Sequence, residues 1–167
     1  MDNMNMIKQK ENEYGKYISE HIKNVKKAWN EFKEKCSDIL EYPAQVELID
    51  SLIENHDMSK YSSYEFDAYR RYFYPINDKE KAESEEDFNI AWKHHYENNP
   101  HHWNHWAVTD KDSMPFVYVV EMICDWQAMG YKFGNTAKEY YESKKDEIIL
   151  GDKQRKWVET ILNLLSN

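Results

Sequence analysis

The chain has 167 residues, enough for one well-buried core and short for two, so a single domain is expected. Its charged fraction of 32% and aromatic fraction of 15%, with six Trp and thirteen Tyr, exclude a disordered chain, which lacks the apolar surface to offset ordering entropy. A net charge of −9 disfavours extended nucleic-acid binding but leaves room for a small anionic substrate where a bound cation inverts the local field.

Residues 1–10 are expected to be a flexible N-terminus, since Met1 to Asn12 is polar and lacks an apolar signal region. No run approaches the roughly 20 apolar residues of a membrane span, so no membrane partner is expected. Only Cys36 and Cys124 are present and they form no C-x-x-C pair, which reads as reduced thiols in a cytoplasmic protein. Four Gly, four Pro, few β-branched runs and many Glu and Lys predict an all-α chain.

The first long helix is predicted from about Glu11 to Cys36, with Tyr14, Ile18, His21, Val25, Ala28, Trp29 and Phe32 on one stripe, so that His21 faces the core. Pro43 suits the first turn of a second helix. Its stripe of Gln45, Leu48, Ile49, Leu52 and Ile53 continues into His56 and Lys60, placing the His56-Asp57 pair at the end of a buried face. A third helix is predicted from a cap at Ser62 or Ser63, with Glu65 in its first turn, to just before Pro75; it carries Arg70 and Arg71.

Residues 77–86 read as a solvated loop, after which Ser84 caps a helix running to Asn98. On it Phe88, Ala91, Trp92 and His95 share a line, so His95 points inward in preference to His94. Asn99-Pro100 breaks the helix, and His101-His102-Trp103 follows on a turn or a short new one. From Ser113 and Pro115 a helix apolar nearly all round runs over 116–129 until Gly130 stops it. Glu121 and Asp125, four apart, share one face there, a costly placement unless the carboxylates are paired or bind a cation. Amphipathic segments over 136–145 and 152–165 complete the chain.

His21, His56, His95 and Asp125 thus each extend an apolar stripe on a separate predicted helix. Buried polar groups need partners, and four of them from distant segments suit one metal site. Imidazole and carboxylate donors fit several divalent ions, so Mn, Fe, Co, Ni, Mg and Zn, singly or as a pair, all remain open.

This order of residues resembles the HD-domain superfamily of all-helical metal-dependent phosphohydrolases and its HD-like oxygenase relatives. The resemblance covers His21, the pair His56-Asp57, the later histidines and Asp125, and it implies a single HD-like helical domain over 1–167. By that likeness His21, His56, Asp57 and Asp125 hold a first metal, with Asp57 able to bridge to a second held by His95 and His101; His94 and His102 are their register alternatives. His56-Asp57-Met58-Ser59-Lys60 is also similar to the signature of the cyclic-dinucleotide phosphodiesterase branch, which implies a phosphate contact for Lys60. The Gly-Tyr-Pro element that follows the paired histidines in that branch is missing after His101-His102, which argues against that activity in the strict sense. The stretches around His56-Asp57, Asn99-Pro100-His101-His102 and Glu121 to Trp126 further resemble an uncharacterised family of short HD-like proteins from bacteria and phages.

The leading expectation is hydrolysis of a phosphate ester or anhydride in a small nucleotide-like substrate. Asp57, Lys60 and Glu121 are the catalytic candidates, and Lys60, Arg70, Arg71 and His102 the substrate-binding ones. Glu121 is open as a general base, an orienter of a ligand histidine or a buried hydrogen-bond partner. A di-iron oxygenase and a non-catalytic nucleotide- or partner-binding module are the competing readings.

Overall fold

The computed structural model describes residues 3–167 and is all-helical, with no strand among those residues. The helices are α1 (Asn3–Lys35), α2 (Pro43–Glu54), α3 (Phe66–Phe73), α4 (Asp78–Glu83), α5 (Glu85–Asn98), α6 (Trp103–Ala107), α7 (Phe116–Phe133), α8 (Ala137–Lys144) and α9 (Asp152–Leu165). Among the described residues no helix is long and apolar enough to cross a membrane. They divide into two compact units: the chain up to Glu20 with Asp57–Asn99, and His21–His56 with Pro100–Asn167. The division falls between His56 and Asp57, so the dipeptide gives one side chain to each unit.

In the first unit, α3 packs on α4 and α5 over an aromatic core. Tyr14 of α1 lies 5.0 Å from Phe66 and 5.8 Å from Tyr74, ring centre to ring centre, and Phe88 stacks on Tyr72 at 4.1 Å. α1 starts at Asn3, so residues 3–10 are helical rather than a flexible lead; Met1 and Asp2 lie outside the described residues. Gln9 and Lys10 both bond to Glu13, supplying side-chain pairs at helical spacing that support this turn.

The segment read as a loop over 77–86 instead holds α4. Asn77 caps it by accepting from the Glu80 backbone N–H, and Glu80 in turn binds Arg70, so a tertiary ion pair fixes a six-residue helix that composition alone does not announce. Glu65 also departs from expectation: it is the residue just before α3, makes no side-chain cap to it and is wholly buried.

In the second unit α7 is the central helix, packed against α2, α8 and α9, with Val119, Val120, Met122, Ile123 and Cys124 closed to solvent. Against it sit Val25, Trp29 and Phe32 of α1, Ile49 and Ile53 of α2, and Val158, Ile161 and Leu162 of α9. α7 runs on past Gly130 to end at Gly134, whose φ of +81° is the left-handed conformation that closes a helix. Gly130 serves close packing: a Cβ there would stand 2.4 Å from the Asn135 carbonyl oxygen. α8 opens with a reciprocal capping box between Thr136 and Glu139.

Candidate metal centre

The centre of the second unit is built on Glu121 and Asp125, one turn apart on α7, so both carboxylates leave the helix on the same side. Glu121 Oε1 lies 2.9 Å from His56 Nδ1 and 3.2 Å from His101 Nδ1. Burial works to raise the Glu121 carboxyl, but hydrogen bonds and charge from His101 and His56 outweigh it and bring it down to about 2. An ionised carboxylate only accepts, so the Nδ1 atoms facing it are the donors and the lone pairs fall on the Nε2 atoms.

Both Nε2 atoms then face Asp125, His56 at 3.8 Å from Oδ1 and His101 at 3.8 Å from Oδ2. His21, from α1, places its Nε2 3.0 Å from Asp125 Oδ1. Burial opposes ionisation of Asp125 as well, and the His21 and His56 rings overcome it, holding the carboxyl well below its ordinary range. One ligand atom each from His56, His101 and Asp125 lie within 4.8 Å of one another. Two imidazole nitrogens and a carboxylate oxygen, with the rings fixed from behind by a second carboxylate, are the donor chemistry of a divalent transition-metal site, and the residues fit such an ion.

The first unit carries its own polar cluster around Asp57. α2 ends at Glu54, so His56 and Asp57 follow the helix instead of extending it, and Lys60 sits on a 3-10 turn, Met58–Tyr61. Asp57 has φ of +57°, and it is the one non-glycine with positive φ among the described residues. Asp tolerates this conformation better than most residues. The reversal turns its Oδ2 to within 2.6 Å of Lys60 Nζ.

Asp57 Oδ1 stands 3.3 Å from His95 Nε2, and His95 Nδ1 donates to Glu65 Oε2 at 2.8 Å. The other Glu65 oxygen accepts from His94 Nδ1 at 2.7 Å, so one buried carboxylate holds both adjacent rings. Burial alone would raise the Glu65 carboxyl; the bonds from His95 and His94 reverse that and lower it. Asn99 bonds to the Ser59 hydroxyl and the His95 carbonyl, tying the 3-10 turn to the end of α5.

The histidine predicted to point inward on α5 does so: His95 is buried, and His94, half-buried, stacks on the exposed Tyr64. His101 is the buried member of its pair, with His102 packed on it at 4.3 Å between ring centres. His105 packs on Trp106.

Arg70 and Arg71 are not presented to an anion. Arg70 is buried and bonded to Glu80 and Asp67, and Arg71 is bonded to Asp67 and Asp87. Of the three roles open for Glu121, the geometry is that of an orienter behind the His56 and His101 rings. Glu65 plays the matching part for His95 and was missed because a lone Glu after two capping serines is indistinguishable, in sequence, from an ordinary first-turn acid.

The fold and the donor cluster define an all-helical protein whose buried histidines and carboxylates could hold a metal ion. The chain belongs to a family of unknown function, DUF5662, which matches residues 10–164. No curated protein and no solved structure matched it.

Proposed function

We propose that this protein is a divalent-metal-dependent phosphohydrolase of the HD type, acting on a small nucleotide-like phosphate ester or anhydride. The observation that carries the reading is the double hold of Glu121 on His56 and His101, which commits both Nε2 lone pairs to the side where Asp125 lies. A carboxylate buried behind two histidines is expensive and of little use to packing, but it fixes tautomer and ring orientation for a metal. His56, His101 and Asp125 would hold the ion, with His21 steadying Asp125 from α1.

When bound, a divalent ion at such a site supplies Lewis acidity: it acidifies water toward neutral pH and screens phosphoryl charge. Glu121 holds the two imidazoles by their Nδ1 atoms and so directs their Nε2 atoms away from itself. In the first unit, the sequence resemblance implies metal-ligand and water-orienting roles for Asp57. Lys60, whose ammonium lies 2.6 Å from the Asp57 carboxylate, is an anchor for nonbridging phosphate oxygens. Arg70 and Arg71 are left out of the substrate set, since their guanidinium groups are occupied by carboxylates.

The test is elemental analysis of protein purified without chelator, paired with phosphate release from a panel of nucleotides by wild type, Asp57→Ala and Asp125→Ala. Stoichiometric metal in wild type, with release lost in both variants, is expected. Metal-free wild type, or release unchanged in both variants, refutes the reading.

A further inference from the structure

We infer that the hydroxyls of Tyr14 and Tyr69, together with the Lys60 ammonium, form an oxyanion-binding subsite in the first unit that takes the phosphate group of the substrate. The inference rests on the metal-dependent reading above and adds to Lys60 two tyrosine hydroxyls that neither the sequence resemblance nor the family match assigns.

Both tyrosines are almost fully buried, and neither hydroxyl has a hydrogen-bond partner within the protein. A buried hydroxyl without a partner carries a desolvation cost that packing alone has no reason to retain, since Phe would fill the same space. The rings lie nearly parallel, 6.4 Å apart, on α1 and α3, and Lys60 Nζ is 5.9 Å from the centre of the Tyr69 ring. Both hydroxyls lie in the field of the Asp57 and Glu65 carboxylates, and burial with that negative field keeps them protonated. Two O–H donors and one ammonium are therefore gathered around the Tyr14–Tyr69 ring pair, within the field of Asp57.

The same field decides the order of binding. With Asp57 and Glu65 ionised, an anion is repelled from this place, and the positive charge of Lys60 is already committed to Asp57 at 2.6 Å. A divalent cation bound by Asp57 reverses the sign, after which phosphate oxygens can accept from the two hydroxyls and from Lys60. The subsite thus takes phosphate only from metal-loaded protein.

The experiment is isothermal titration of the full chain, with and without Mn(II), using inorganic phosphate as the probe, on wild type, Tyr14→Phe and Tyr69→Phe. Each substitution keeps the ring and removes one donor. Metal-loaded wild type is expected to bind phosphate and each variant to bind it about tenfold more weakly, the scale of one hydrogen bond to a charged group. Without ligand the variants should melt no lower than wild type, because no bond within the protein is lost.

Equal phosphate affinity in the variants overturns the inference, as does phosphate binding to metal-free wild type at the same affinity. A marked loss of melting temperature in both variants also overturns it, since the hydroxyls would then be structural. The two readings fail separately: metal-free wild type defeats the metal centre, whereas unchanged phosphate affinity in metal-loaded variants defeats the tyrosine subsite alone.

Discussion

His56 Nδ1 and Glu121 Oε1 meet at 2.9 Å with both side chains closed to water, and that bond decides which nitrogen of His56 is offered to an ion. Removing the carboxylate should release both His56 and His101. Glu121→Gln is expected to bind Mn(II) or Zn(II) about 10- to 100-fold more weakly, the usual range for losing a group that orients ligand histidines. Chelator competition measures it, and unchanged affinity would show that the rings are set by packing alone.

The same carboxylate should make stability depend on pH in a defined window. Glu121 has a folded value of about 2 against an ordinary 4.5, a depressed carboxyl, so its contribution is fully present above about pH 4.5 and is lost as pH falls toward 2. In chelator-treated protein, the carboxyl's contribution to the stability gap between wild type and Glu121→Gln should be fully present above about pH 4.5. It should then shrink by roughly 3 kcal/mol between pH 4.5 and 2. Urea denaturation at stepped pH reads this, and a gap that does not narrow there contradicts the assignment.

These residues also mark how far sequence alone carries. His21, His95 and Asp125 were legible because each extends an apolar stripe at helical spacing, and Glu121 because it shares a face with Asp125 inside an apolar helix. The extent of α9 was likewise a local signal. Glu65 was not legible: its role is set by α5 residues about thirty positions on, and nothing in its neighbours reports that contact. Asp57 looked like the continuation of a helix because periodicity cannot register a left-handed turn at a non-glycine residue. Tyr14 read simply as core, which its ring is; the unpartnered hydroxyl appears only once the fold is known.

Arg70 and Arg71 are adjacent in sequence and opposite in consequence. Arg70 is buried between Glu80 and Asp67, and Arg70→Ala would strand the Glu80 carboxylate and loosen α4, at a cost of about 3 kcal/mol or more. Arg71 makes its pairs at the surface, where Arg71→Ala should cost at most ~1 kcal/mol. Urea midpoints of the two variants test the ranking, and equal destabilisation would remove Arg70 from the core of the first unit.

The end of α7 offers a second ranking. Gly134 has open space around its Cβ position but a left-handed φ, so Gly134→Ala should cost about 1 kcal/mol of backbone strain. Gly130 has no such strain, but an added methyl would meet the Asn135 backbone and force the helix cap open, at about 2–3 kcal/mol. The glycine that sequence took for the helix stop should therefore be the more damaging to replace, as thermal melts of both variants will show.

Removing metal should test the centre without mutation. His56, His101 and Asp125 offer their ligand atoms only in the folded chain, so an ion bound there stabilises the native state by mass action. At a hundredfold excess of ion over Kd the gain is about 2.7 kcal/mol. Chelator-treated protein should therefore melt several degrees lower than protein with Mn(II) restored, and the difference should vanish in Asp125→Ala, where the carboxylate is gone but Glu121 still holds both rings. Stabilisation that persists in Asp125→Ala would move the ion elsewhere in the chain, and no stabilisation in wild type would remove it altogether.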